Sequence, residues 1–383
     1  MMLDAPLSPP EAETAAPPRE RPDSPAKARL AIIDGDVHPT LRTLADLKPY
    51  LSAHWWEVLA TYGPRRRAGM TAATLEPYPK AAPRACRRDA WPDGGGPPGS
   101  SLELFRSQYL DAYGVEAAML GPLGGTGQGE MNPGLAAAMA SAANDWQREH
   151  FTKPEPRLRA GLVVASDDAA AAVREIERCG PDPSYAQVFM LTRNTEPAGN
   201  RRYWPIYEAA ARHGLPVAFH VFGASGHAFT GTGWPSYYME EGAGHSTSCQ
   251  GAVTSLVIEG VFEYVPTLKV VMVEGGFAWL PPLAWRLDKV FAQLRSEVTH
   301  LKRKPSEYIR EHVWLTTQPM EEPDDRSQLA DMMEWIGWDR LLFSSDYPHW
   351  DFDDPFQAFP RAVPRERVRQ ILTANGKAVY RLG

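Results

Sequence analysis

Leu341-Leu342-Phe343-Ser344-Ser345-Asp346-Tyr347-Pro348-His349-Trp350 starts as an apolar run and breaks into Ser-Ser-Asp and a proline turn. A short continuous apolar run is the pattern of a strand buried on both faces. The abrupt switch to polar residues marks its C-terminal end. A carboxylate at that point either faces the mouth of a barrel or sheet, or caps a following loop or helix. Three other stretches repeat the arrangement: Ile32-Ile33-Asp34-Gly35-Asp36-Val37-His38, Pro216-Val217-Ala218-Phe219-His220 and Val270-Val271-Met272-Val273-Glu274-Gly275-Gly276. Each ends an apolar run on a side chain that can bind a metal.

Between these stretches the chain alternates strand and helix patterns. Further strands are expected at Val115–Leu120, Leu158–Ala165, Ala186–Leu191 and Val313–Thr317, and the eighth at Arg340–Ser345. Helices are expected from Leu102 to a terminal Gly114, and from Asn132 as N-cap through Pro133 to Phe151. Others run from the Ser166-Asp167-Asp168 cap to Cys179, over Arg202–His213, from about Ser246 to Phe262, over Leu283–Leu301, over Ser327–Ile336 and over Arg365–Arg381. Eight short buried strands alternating with helices give an α/β fold, a (β/α)8 TIM barrel, with an open doubly wound sheet as the alternative. No G-x-G-x-x-G follows the first strand, which counts against the open sheet.

Residues 1–28 are rich in Pro, Ala and charge and read as a disordered tail ahead of a single domain, 29–383. Residues 39–101 lack clear periodicity and read as an irregular insertion, a lid or binding loop. Their Arg65-Arg66-Arg67 run meets a substrate carboxylate, or is only a solvated basic loop or a subunit contact. A Gly-rich loop is expected from Val221 to Gly244.

Composition narrows the function classes. The 383 residues carry a net charge of −7, which disfavours nucleic acid or an anionic membrane as principal partner. No apolar run is long enough to span a bilayer, and no apolar segment typical of a signal peptide follows Met1. Three scattered cysteines, with no C-x-x-C pair, suit a reducing compartment and not thiolate zinc. The expectation is a cytoplasmic enzyme acting on a small molecule.

In a parallel barrel all strand C-termini open on one face, where active sites sit. Asp36 and His38 lie two apart, so they share an orientation, and His220, Glu274 and Asp346 join them from three other strands. Imidazole with carboxylate suits Zn, Mn or Fe as a divalent metal. His245 and His349 are further imidazoles, serving either a second ion or the orientation of a carboxylate ligand. His213 is assigned to a helix end and His227 to a loop surface.

The stretches at 33–39, 203–220, 266–281 and 343–349 resemble the amidohydrolase superfamily. The similarity is to its amidohydrolase-2 branch, which includes aminocarboxymuconate-semialdehyde decarboxylase and the resorcylate decarboxylases. It runs from about Ala31 to the C-terminus. The family's usual H-x-H motif on strand one is here Asp36-Val37-His38, and its common H-G-G is Glu274-Gly275-Gly276. The resemblance implies metal ligands at Asp36, His38, His220 and Asp346, with Glu274 as a further ligand or a proton-handling group. Two carboxylates in place of histidines shift the preference from zinc toward manganese or iron.

Three functions follow. The first is hydrolysis or non-oxidative decarboxylation of a small carboxylate, with Asp346, Glu274 and His245 handling protons. The second is a dinuclear iron or manganese oxygenase, and the third a non-catalytic metal-binding subunit of a heteromer. A homo-oligomer, as in relatives, or a heteromer with a paralogue is expected. The Trp-rich stretch Phe277–Trp285 is then either a dimer face or core.

Overall fold

The computed structural model describes residues 31–65, 85–223, 233 and 236–382. The expected tail at 1–28, Arg66, Arg67 and His227 lie outside them. Eight parallel strands form one sheet in the order β1 to β8: Ile32–Val37, Val115–Leu120, Leu158–Val163, Tyr185–Arg193, Val217–Gly223, Val270–Val273, Val313–Thr316 and Leu341–Leu342. The ends of the sheet meet beyond the short β8. Gly35 N donates to the Phe343 carbonyl at 2.8 Å and His38 N to the Tyr347 carbonyl at 2.8 Å, while Val37 bridges Tyr347 in parallel. The eighth strand is therefore shorter than the expected 340–345, yet backbone bonding carries its line on to the Asp346 loop. This is a (β/α)8 barrel.

Alternate strand residues serve two cores, as the two-residue period requires. Ile33, Ala117, Met119, Ala218, Val271, Val273, Trp314 and Leu342 fill the lumen, plugged by Val379 and Tyr380 of the final helical stretch. Ile32, Ala118, Leu120, Val217, Phe219, Val270, Met272, Val313 and Leu315 face the surrounding helices. Burial on both faces explains why the strands read as continuous apolar runs.

The main helices are α1 (Ala53–Tyr62), α2 (Pro133–Gln147), α3 (Ala169–Cys179), α4 (Trp204–Arg212), α5 (Tyr238–Ile258), α6 (Leu280–Leu294), α7 (Pro305–His312) and α8 (Ser327–Ile336). The Asn132 side chain caps α2 through the amides of Gly134 and Leu135, and Asp168 caps α3 through that of Ala171. Gly114 ends the helical stretch 102–113 with φ 69°.

Three expectations need correction. The segment 39–101 is not wholly irregular: a 3₁₀ helix, Leu44–Tyr50, and α1 lie in it, started by Thr43 and Ser52 caps and anchored by buried Leu47 and Leu59. α6 begins at Leu280, because Pro281 and Pro282 fall in the first turn, where no intrahelical N–H is needed. α5 begins at Tyr238, not near Ser246. Glu240 accepts from Tyr237 N at 2.7 Å, and this cap outweighs the low helix propensity of the glycines that follow. His245 therefore sits within α5. Within the Trp-rich stretch Phe277, Leu280 and Ala284 are core, while Trp285 is exposed.

Candidate metal centre

The C-terminal mouth of the barrel gathers the expected residues into a buried cluster. Asp36 and His38 project from the end of β1 and His220 from β5. The tightest approaches run from His220 Nε2 to Glu274 Oε2, 2.6 Å, and from His38 Nε2 to Asp346 Oδ1, 2.8 Å. Asp36 Oδ2 lies 3.4 Å from His38 Nε2 and 3.7 Å from His220 Nε2. All five residues are buried.

Glu274 requires a special backbone. Val273 points into the lumen, so alternation would turn the next side chain outward. A φ of 60° at Glu274 brings it back to the mouth, and its amide donates to Thr316 Oγ1 at 3.0 Å. Asp346 also has a left-handed φ, 61°. Non-glycine residues held there concentrate at functional sites.

Neighbouring groups set the orientation of the candidate ligands. His38 Nδ1 donates to the Gly121 carbonyl at 2.7 Å. A carbonyl can only accept, so Nδ1 carries a proton and Nε2 is the atom that faces the cluster. Gly121 needs to lack a side chain: a Cβ would come within 2.9 Å of Phe189 and 3.2 Å of Asp36 Oδ1. Asp346 Oδ1 takes a bond from His349 Nδ1 at 2.6 Å, and its Oδ2 one from Gln318 Nε2 at 3.2 Å. The His349 ring stacks on that of His38, centroids 4.5 Å apart. Asp34, one position short of the mouth, accepts from Ser345 Oγ at 2.5 Å and from the Tyr109 hydroxyl, fastening β1 to the Asp346 loop. The far end of the 39–101 segment secures the same loop, through Arg87 N to the Pro348 carbonyl and Trp350 N to the Ala85 carbonyl.

The electrostatics are those of a cation site. Burial opposes ionisation of Asp36, but the charges of His38 and His220 hold its carboxyl below the usual range. Burial likewise opposes charge on His220, yet Glu274 and Asp36 raise its pKa to about 9. At Asp346, burial is outweighed by His349 and then His38, and the carboxyl is held well below normal. Asp351 is pushed up to about 8 by burial, then by the charges of Asp346 and Glu274. Asp36 Oδ2, His38 Nε2 and Glu274 Oε2 are buried without a hydrogen bond of proper geometry. Buried polar atoms are ordinarily satisfied, so converging orphan donors fit a metal ion. Asp36, His38, His220 and Glu274 offer ligand atoms all within 4.8 Å of one another, and so do His38, Glu274, Asp346 and His349. The cluster is able to hold a divalent metal, and its carboxylate-rich donor set suits manganese or iron.

His245 is partly buried on α5 and close enough to the cluster to feel it. Burial lowers its pKa, while the charge of Glu274 works the other way. His213 ends α4, as expected, with Nε2 2.8 Å from Glu177. Of the Arg65–Arg67 run only Arg65 is described, and its amide donates to Glu130. Gln318, Asp351 and Thr316 were not expected at the mouth. Thr316 and Gln318 stand at the end of β7, whose terminus carries no histidine or acid to draw attention.

The amidohydrolase family signature matches residues 33–382. The chain belongs to the amidohydrolase family. Among curated amidohydrolase relatives, the gamma-resorcylate decarboxylase of Polaromonas sp. strain JS666 is 27% identical over 294 residues, 72% of this chain and 86% of the relative. The Rhizobium sp. strain MTP-10005 enzyme of the same name is 25% identical over 298 residues, 73% of this chain and 88% of the relative. These place the chain in the resorcylate decarboxylase-like, amidohydrolase-2 branch. Solved amidohydrolase structures share the fold. A dihydroxybenzoic acid decarboxylase from Polaromonas sp. JS666, with bound manganese and 2-nitroresorcinol, superposes with a TM-score of 0.63 at 20% identity, covering 92% of this chain and 97% of that one. A 5-carboxyvanillate decarboxylase from Novosphingobium aromaticivorans, also with manganese, gives 0.68 at 18% identity, covering 92% and 97%.

Proposed function

We propose that the chain is a metal-dependent carboxy-lyase that removes carbon dioxide, without oxidation, from a small hydroxylated aromatic acid. The convergence of Asp36, His38, His220, Glu274 and Asp346 at the barrel mouth carries this reading, and the decarboxylase relatives support the reaction class. Asp36, His38, His220 and Asp346 would hold the ion, with Glu274 as a further ligand or proton carrier. A divalent ion bound there supplies positive charge to bind an anionic substrate and polarise its oxygens.

The chain's own residues handle the proton. In this reaction the carbon–carbon bond to the carboxylate breaks, carbon dioxide departs, and the electron pair left on the ring carbon takes up a proton. Asp346, ionised at rest and steadied by Gln318, first takes up a proton through His349, which is hydrogen-bonded to it and retains some solvent contact, and then passes it to the ring carbon. Glu274 and His245 give a second route for proton exchange at the same mouth. Burial of the cluster limits water, which strengthens each electrostatic contact.

Manganese-reconstituted protein incubated anaerobically with 2,6-dihydroxybenzoate, 5-carboxyvanillate and simpler hydroxybenzoates tests the reading. Carbon dioxide release from at least one acid is expected, and none from any of them would refute it. The overlapping donor set His38, Glu274, Asp346 and His349 favours a second reading, a dinuclear iron or manganese oxygenase. Metal analysis and oxygen uptake separate the two. One ion per chain and oxygen-independent turnover are expected; two ions with oxygen-dependent product formation would move the protein to the oxygenase class.

A further inference from the structure

The N-terminal end of the barrel, opposite the candidate metal centre, holds a cavity of about 350 Å³, within the range of small-molecule sites. It opens where the small side chains of Ala117 on β2 and Ala186 on β4 leave room at the floor of the lumen, beside Leu215 and Tyr380. Arg159 lines it from β3, in register with the luminal Met119 of β2. Arg381 lines it from just beyond the final helical stretch. Two acids share the wall, Glu116 and Asp182, and both are already neutralised from outside. Glu116 lies 2.5 Å from Lys377 Nζ, and Asp182 2.7 Å from Arg148 Nε. Neither arginine of the cavity pairs with an acid among the described residues. Arg159 Nη1 donates to the carbonyls of Pro156 and Leu158, and Arg381 Nη1 to that of His213 at 2.8 Å. Lys269, just ahead of β6, adds a third cation to this end and donates to the Ala378 carbonyl at 3.3 Å.

We propose that this cavity is a second binding site, separate from the metal centre, for a small organic dianion. Arg159 and Arg381 take its charged group, and Ala117, Ala186 and Leu215 face its apolar part. The planar fork of arginine matches the paired oxygens of a carboxylate or a phosphate with two parallel bonds, which lysine cannot reproduce. The local charge balance supports this. Burial lowers the pKa of Arg159 with no acid to oppose it. That of Lys269 is lowered by burial and then by the charges of Arg381 and Arg340. Cations crowded into a half-buried site without an acid are unfavourable, and a bound dianion relieves both the crowding and the lost hydration. The protein as a whole is acidic, at −7, so the cationic excess here is local.

Calorimetric titration of the full-length, manganese-loaded chain tests this, with phenyl phosphate as the phosphate probe, phthalate as the dicarboxylate and phenol as the neutral control. Wild type should bind at least one dianion saturably and phenol far more weakly, and the tighter dianion identifies the charged group that the site takes. Arg159→Gln and Arg381→Gln should each lower that affinity about 10- to 100-fold, the scale of lost charge-assisted hydrogen bonds, with manganese content unchanged. Arg159→Lys should keep part of it, as a charge without the fork. Magnetic resonance of the wild-type complex locates the ligand without any variant. Manganese broadens nearby nuclei steeply with proximity, so a dianion at the far end of the barrel should keep much sharper signals than one beside the ion. Failure of wild type to bind either dianion saturably overturns the proposal. Broadening typical of direct contact with manganese overturns it as well, and so does affinity unchanged in both glutamine variants.

Discussion

At the scale of single residues, the site depends on groups that differ in how they act. Asp346 is argued to hold metal and to deliver the proton. Asp346→Asn keeps the shape but cannot carry that proton, so turnover should fall about 10²-fold or more, as general acid–base losses do. Circular dichroism should show the fold retained, and near wild-type turnover would take Asp346 out of the mechanism. Gly121 acts only through others: its carbonyl orients His38 and its missing side chain leaves room for Asp36 and Phe189. Gly121→Ala should weaken manganese affinity about 10- to 100-fold, as changes beside a ligand do, which a metal titration would detect. Sequence alone marked the candidate ligands because histidine and acid at strand ends are conspicuous. It gave no sign of Gly121 or Gln318, whose parts depend on what lies across the barrel.

Elements carry these side chains only if their ends are pinned, and polar residues do much of the pinning. Glu155, just ahead of β3, bonds Arg157 through Nε and Nη2, both at 2.9 Å, and Arg106 of the 102–113 stretch at 2.8 Å. The bond from Arg157, and against burial the one from Arg106, hold its carboxyl down to about 2. A folded-state pKa below the unfolded one contributes stability that is present above the unfolded value, 4.5, and is lost as pH falls toward 2. Wild type should therefore lose melting temperature across that window. Glu155→Gln should be less stable at pH 7 and show a flatter acid limb, and parallel curves for the two proteins would contradict the assignment. Caps at Asn132, Pro133 and Asp168 were legible because capping chemistry is local. The starts of α5 and α6 were not, since glycines and a proline pair read as breakers until the first-turn geometry and the Glu240 cap are known.

For the whole molecule, the metal joins what the fold brings together. The proposed ligands come from β1, β5 and the segments after β6 and β8, so an ion bound to the folded chain and absent from the unfolded one would stabilise by mass action, about 2.7 kcal/mol at a hundredfold excess over Kd. Removing metal with a chelator should lower the melting temperature, and manganese should restore it more fully than magnesium. An unchanged melting temperature would mean that the four segments are held without an ion. The barrel itself was within reach of the sequence, because eight doubly buried strands leave continuous apolar runs and the helices between them carry local caps. The strand-end donors were within reach too, since parallel strands deliver their C-termini to one face. What only the tertiary structure decided is how the donors face one another. A left-handed Glu274 reverses the alternation that sequence would assign, and a two-residue β8 hands its line to loop backbone joined to β1. Each depends on contacts between segments far apart in the chain, and those have no signature in the local pattern of residues.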